Sequence, residues 1–236
     1  MKFFAIFFLV CTSLYVSALD REAFTFTKYD LEVRVEPEQQ RLGVRGKVTL
    51  RNDSDSPQKN AALQITSTLN WSSIQVENKP VEFVTQTYNS DIDHTGALSE
   101  AIVTFPQPVA PKQTVELAIG YEGVIPQGTT RLTRIGVPGD VAKHSDWDQI
   151  GRSFIAVRGV GYVTWYPVAT EAANLSEGNS VFEAVGRWKQ QEKQSAMRVD
   201  LCLSGFDSLP TALMNDTPAG VPASSFSATT GNAVTG

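Results

Sequence analysis

The chain has 236 residues, with 20 Lys and Arg against 25 Asp and Glu, a formal net charge of −5 and a pI near 5.1. A hydrophobic share of 42% and a charged share of 19% suit one sizeable globular β domain, or one domain and part of a second. Without a Lys/Arg cluster, the acidic balance excludes a phosphate-neutralising nucleic-acid surface and reads as plain solubility.

Lys2 and the apolar run Phe3 to Tyr15 lead to Val16-Ser17-Ala18, a small-residue cleavage site. The reading is a secretory signal peptide over 1–18, cut after Ala18, with a run too short to span a bilayer. It implies a secreted or periplasmic protein without a membrane span. Cys11 follows Val10, not the small residue that lipoprotein processing prefers. After the cut Cys202 is the remaining cysteine, so no intrachain disulfide is expected. In the strand-like run Arg198 to Leu203 it reads as a buried structural thiol.

Tyr29, Leu31, Val33 and Val35 alternate with polar residues up to Pro37, the pattern of a half-buried strand. Leu42, Val44, Gly46, Val48 and Leu50 repeat it, and Glu38-Gln39-Gln40 links the two as an antiparallel hairpin. Gly46 in mid-strand predicts a bulge or a close backbone approach. Shorter strands follow at Leu63–Ile65, Ile74–Val76 and Val81–Tyr88, with a turn at Asn78-Lys79-Pro80 and a polar loop from Asn89 to Gly96. Ile102 to Pro126 is the most regular stretch. It reads as a strand to Phe105, a turn forced by Pro106, Pro108 and Pro111, and a strand with Val115, Leu117, Ile119 and Tyr121 on one face.

About seven or eight strands before Pro126, with no helical period, predict an antiparallel sandwich or saddle-shaped sheet. Gln127 to Ile150 reads as a long loop. Phe154–Val157 and Val160–Val168 read as a β pair joined near Gly159, and Ala169–Ser180 as a loop or short helical turn. Val181–Gln194 fits a strand or an amphipathic helix, and Met197 to Leu203 a strand. The range 210–236 is mostly Pro, Ala, Ser, Thr and Gly, with Asp216 as its charged side chain. It reads as a low-complexity tail or a truncated continuation.

The succession YDLEVRVEP, LGVRGKVTL, IQVENKPVEF and VTFPQPVAPKQTVELAIGYEGVIP resembles the N-terminal domain of the gluzincin aminopeptidases, the aminopeptidase N family. Tyr29, Leu31 and Val33 match its first strand motif, and Val44, Gly46, Val48 and Leu50 the second. Ile74, Val76 and Lys79 match the third. Phe105, Pro108, Pro111, Leu117, Ile119, Tyr121, Gly123 and Ile125 match the fourth. The likeness covers roughly Phe24 to Ile125, and more loosely continues to Leu203. It implies a saddle of β-strands over 19–209 that packs on a thermolysin-like catalytic domain and shapes its peptide-substrate cleft. The family binds zinc through His-Glu-x-x-His in that other domain. Here His94 and His144 are the only histidines, neither is followed by Glu, and the Gly-Ala-Met-Glu-Asn segment is missing. Val163 to Val168 stands where relatives carry an Ala-Arg-x-x-Phe-Pro-Cys-x-Asp-Glu-Pro segment, without its acidic end.

The resemblance therefore assigns this chain no catalytic, cofactor-binding or metal-ligating residue, and zinc is expected only in a catalytic domain that the chain lacks. Asp91-Ile92-Asp93-His94 reads as a solvated loop in preference to a cation site. His144 in Lys143-His144-Ser145-Asp146 reads the same way. No Gly-x-Ser-x-Gly elbow supports a Ser/His/Asp triad. Asp146, Asp148 and Glu171 could be acid and base partners of a glycosidase, but structural or surface roles are expected. Trp165-Tyr166 fits the core, or a sugar-stacking platform. Asn52, Asn70, Asn174 and Asn215 open N-x-S/T sequons. The expected function is that of a non-catalytic domain of a secreted metallopeptidase-like protein, present here as a fragment. The alternative is a complete secreted β-sandwich module that recognises glycan or protein.

Overall fold

The computed structural model describes residues 19–204 and 226–231. The segment 1–18, expected to be a signal peptide, and the range 210–236 apart from 226–231, lie outside the described residues. The fold is mainly β. Strand β1 (Phe24–Glu36) turns through a single 3-10 turn at Pro37–Gln39 into β2 (Arg41–Asn52). Then come β3 (Gln58–Thr66), β4 (Leu69–Val76), the two-residue β5 (Lys79–Pro80), β6 (Phe83–Asn89), β7 (Ala97–Val109) and β8 (Thr114–Val124). Beyond them lie helices α1 (Thr130–Arg134) and α2 (Gly139–Ser145), the short pair β9 (Gln149–Ile150) and β10 (Ile155–Ala156), helix α3 (Ser180–Gln191), β11 (Ala196–Ser204) and β12 (Phe226–Gly231).

Two sheets carry the core. One has the order β12-β11-β1-β2-β8-β4-β5, the other β3-β7-β6. Pairing is antiparallel except at one side, where β11 joins β1 and β12 joins β11 in parallel. The expected antiparallel β architecture is thus observed, with parallel pairing added at that side. Parallel neighbours need a crossover, and the chain between β8 and β11 supplies it.

The alternation in β1 is interrupted once. Phe24 and Phe26 are buried, then Tyr29, Leu31, Val33 and Val35. A register shift between Phe26 and Lys28 keeps both sets on one face. It also brings the rings of Phe26 and Tyr29 into a stack with centroids 5.7 Å apart. Leu42, Val44, Val48 and Leu50 of β2 and Leu117, Ile119 and Tyr121 of β8 are buried as well. Each such aliphatic side chain contributes roughly 1.5–3 kcal/mol by leaving water.

Gly46 lies opposite Leu31, and a Cβ there would come within 2.1 Å of the Asp30 carbonyl oxygen. Of the two expectations for this glycine, the close backbone approach is the one observed.

Several local expectations are corrected. Pro106 and Pro108 do not end the strand. They sit in the tail of β7, past the regular ladders, where a missing N–H breaks nothing, and the turn comes at Ala110 to Gln113. The earlier turn is at Glu77 and Asn78, with φ of 52° and 62°, so Lys79 and Pro80 pair back onto β4. The range 127–150 is not one loop, because it folds α1 and α2. Phe154–Val157 and Val160–Val168 do not pair as strands. Ile155–Ala156 pairs with Gln149–Ile150, and single bridges join Gly159 to Val163 and Gln64 to Val168. The undecided segment 181–194 is mostly helix, with Val181, Ala184 and Trp188 buried at helical spacing.

The 163–169 segment closes the core. Tyr29 Oη donates to the Pro167 carbonyl at 3.0 Å, and Tyr121 Oη to the Trp165 carbonyl at 3.0 Å. Burial pushes both phenols well above their ordinary range.

Candidate functional site

The turn Ser90 to Gly96 follows β6 and is not solvated, which corrects the expectation for it. Asp91, Ile92, Asp93 and His94 are all fully buried. Asp93 shapes the turn by accepting from Thr95 N at 3.1 Å, the local bond that favours Asp in turns. Its carboxylate also accepts from Thr66 Oγ1 at 2.9 Å, Thr95 Oγ1 at 2.8 Å and Thr164 N at 2.7 Å. The turn is thereby tied to β3 and to the 163–169 segment.

Helix α1 supplies the counter-charges. Arg131, 6% exposed, forks onto Asp146 with two bonds of 2.8 Å and donates a third, of 2.7 Å, to the Asp91 carbonyl. Arg134 pairs with the Asp91 carboxylate, which also accepts from Leu175 N at 2.8 Å. Asp148 accepts from Arg158 N at 2.7 Å and from Arg158 Nε at 2.5 Å. Of these carboxylates Asp146 alone takes a bidentate fork, while Asp91 and Asp148 each combine one guanidinium nitrogen with a backbone N–H.

His94 sits inside this cluster with neither ring nitrogen hydrogen-bonded. Its Nε2 is 3.9 Å from Asp93 Oδ2, and a Cβ on Gly128 would fall 2.7 Å from its Nδ1. His144 is apart from it, exposed on α2, with Nδ1 2.6 Å from the Asp140 carbonyl oxygen. Among the described residues no group of three or more His, Cys, Asp and Glu is placed to hold a metal. The two histidines stand apart, His94 fully buried against Gly128 and His144 exposed on α2.

The remaining candidates separate. Glu171 is half-exposed and accepts from Tyr88 Oη at 3.3 Å, in a different network from Asp146 and Asp148. Trp165 and Tyr166 are core residues with ring centroids 5.0 Å apart, and Tyr166 continues onto Trp188 at 5.9 Å. Neither is available as a platform. The aromatic surface is elsewhere. Trp147, Phe154 and Tyr162 are 36%, 45% and 37% exposed. The Arg158 guanidinium lies 4.2 Å from the Trp147 ring centroid and 3.5 Å from that of Tyr162. Cys202 is a free thiol in β11 but only partly buried, which corrects the fully buried reading. Asn52 is fully buried and donates to the Ser56 and Val109 carbonyls, whereas Asn70 is exposed on β4. Asn215 lies outside the described residues.

Two further buried carboxyls had no signal in the sequence. Glu100 of β7 takes a fork from Arg21 at 2.7 and 3.1 Å, with Gln64 and Gln86 completing its shell. Burial alone would raise this carboxyl, but Arg21 and the two amides hold it below its ordinary value. Glu192 follows α3 and accepts from Phe26 N at 2.8 Å. Burial pushes it up to about 7.

Shallow cavities lie away from the Asp91–His94 turn. One of about 480 Å³ is lined by Val81, Glu82, Phe83, Val84 and Thr104. The cluster therefore holds charge without presenting it. Its carboxylates are occupied by Arg, Thr and backbone donors, the arrangement of a brace between α1, α2 and the sheets.

No family model matches the chain, and no curated protein does. Among solved structures it is similar to an M1 zinc metallopeptidase from Deinococcus radiodurans, at 22% identity and a TM-score of 0.37, over 47% of this chain and 22% of that one. It is similar also to native yeast LTA4 hydrolase, at 14% identity and a TM-score of 0.34, over 43% of this chain and 15% of that one. The matched stretch thus spans less than a quarter of the length of either protein.

Proposed function

We propose that this chain is a non-catalytic β domain of a metallopeptidase-like protein, which packs against a catalytic domain and walls the substrate side of its cleft. One observation carries the reading. The strand motifs that resemble the aminopeptidase N family are neighbours in space, with β1, β2, β8 and β4 adjacent in one sheet. The matched Tyr29, Leu31, Val33, Val44, Val48, Leu50, Ile74, Leu117, Ile119 and Tyr121 are all buried. Those positions therefore specify a sheet, and a scaffold is what they build. The zinc-binding and acid–base groups belong to other polypeptide, as does the peptide substrate, and export through the segment 1–18 is part of the same proposal.

The test has two arms. Purified chain, assayed on aminoacyl-amide substrates with and without added zinc, is expected to show no turnover. The coding locus, sequenced downstream, is expected to reach His-Glu-x-x-His in the same frame or in an adjacent gene. Zinc-dependent turnover by the chain alone overturns the proposal, as does a locus without that motif.

A second reading, a glycan- or protein-binding module, is favoured by the exposed Trp147, Phe154 and Tyr162 around Arg158. Binding of the chain to a glycan array, lost on Trp147→Ala, would favour it over the first.

A further inference from the structure

Strand β6 is the outer strand of the three-stranded sheet, so the backbone groups on its far side face away from β7. Exposed sheet edges are normally blunted by Lys, Pro, a bulge or a covering loop. Other edges here follow that practice. The outermost β5 is two residues long and consists of Lys79 and Pro80. The free side of β3 is covered by the 163–169 segment, where Gln64 and Val168 exchange bonds of 2.8 and 3.0 Å and Thr66 N reaches the Thr164 carbonyl at 2.7 Å. Among the described residues β6 has none of these devices. It is Phe83-Val84-Thr85-Gln86-Thr87-Tyr88-Asn89, with no charge, no proline, no glycine and an unbroken register against β7. Val84, Thr85, Gln86 and Thr87 are exposed, Val84 at 68%.

The order of residues in this strand is close to symmetric about Gln86. An antiparallel copy placed on a two-fold axis through Gln86 sets Thr85 against Thr87 and Val84 against Tyr88, each twice, and Gln86 against itself. Thr–Thr and aromatic–β-branched pairs are favourable cross-strand neighbours, and no like charges meet. Glu82, the nearest acidic residue in sequence, would face Ser90 of the other copy. We infer that β6 is a self-association edge, through which two copies of this chain join their three-stranded sheets into one continuous antiparallel sheet. A two-fold contact of this kind closes on itself and leaves no further β6 edge exposed. Arg21 stays with its own chain, held by Glu100 and stacked 4.3 Å from the Tyr88 ring centroid. It supports the strand from behind.

Sedimentation equilibrium on the full chain tests the inference, followed up to about 1 mM, where weak association becomes visible. The native chain is expected to show a monomer–dimer equilibrium. The double variant Thr85→Lys, Thr87→Lys sets like charges opposite one another and is expected to weaken association at least about ten-fold. The double variant Thr85→Lys, Thr87→Glu sets opposite charges across the axis and is expected to associate within about three-fold of the native chain. Both positions are exposed, and circular dichroism checks that each variant is folded. A native chain that stays monomeric throughout overturns the inference. So does a dimer unaffected by the Lys/Lys variant, which places the contact on another surface, or a Lys/Glu variant as weak as Lys/Lys, which excludes the Gln86 axis.

Discussion

Glu192 Oε2 lies 2.6 Å from Ser195 Oγ, and the same hydroxyl reaches the carbonyl oxygen of Phe26. Ser195 has one hydrogen for two acceptors. The trio is fully satisfied when Glu192 carries a proton and donates it to Ser195, which then donates to Phe26. The site lies at the register shift of β1, so the state of one carboxyl bears on how α3 and β11 seat against the first strand.

Stability is expected to fall as pH rises through this carboxyl. Its value in the fold is about 7 against an ordinary 4.5, because burial disfavours the anion. An acid raised on folding contributes in full while it is protonated in both states, and loses ground as the unfolded chain ionises first. Relative to acid solution that advantage is lost between about pH 4.5 and 7, amounting to about 3.5 kcal/mol at ~1.4 kcal/mol per unit. Glu192→Gln keeps the acceptor for Phe26 N and supplies the donor for Ser195. Urea unfolding at pH 5 and pH 8 is expected to show a smaller difference in the variant, which is the more stable of the two proteins at pH 8.

Arg131→Met leaves Asp146 buried without its fork and the Asp91 carbonyl without its donor. A buried ion pair broken on one side costs about 3–5 kcal/mol, most of it the uncompensated charge. Asp146→Asn with Arg131→Met removes both charges and is expected to recover part of the loss. Chemical denaturation of the two variants reads the difference. Equal stability of the single and double variants would contradict the account.

Gly128→Ala places a methyl group 2.7 Å from Nδ1 of the fully buried His94. Overpacking of this kind costs about 1–3 kcal/mol. In a His94→Ala background the ring is absent, and the same substitution is expected to be close to neutral. The thermodynamic cycle of the four proteins measures the coupling directly.

Expressed in a glycosylating secretory host, the chain is expected to carry no glycan at Asn52. The Asn52 side-chain nitrogen already donates to two carbonyl oxygens, at 2.9 and 2.8 Å, and the residue is fully buried. Asn70 is exposed and is expected to be the occupied sequon on the sheet. Peptide mass spectrometry after glycosidase treatment in heavy water distinguishes the two.

The long strands were legible because burial there has period two, and β1, β2 and β8 carry it almost without interruption. Helix α3 also had a signal, since Val181, Ala184, Val185 and Trp188 follow helical spacing. The exposed Phe182 blurred it. The short helices α1 and α2 have five and seven residues, fewer than two turns each and too little for a period to show. The buried charges were the least legible. Asp91 and Asp146 are held by arginines 43 and 15 residues away, so each looks like loop polarity beside its own neighbours. Arg131 and Arg134, one helical turn apart on α1, were the available clue, because two cations on one side of a short helix ask for carboxylates nearby.

The first strand of this fold lies between β2 and β11, which leave the ribosome at very different times. β2 can pair with β1 as soon as it is made, whereas the other flank stays open until Ala196 to Ser204 has been synthesised. Until β11 is made, the nascent chain therefore exposes a ready template along β1, a period in which a neighbouring unfinished chain competes for the place of β11.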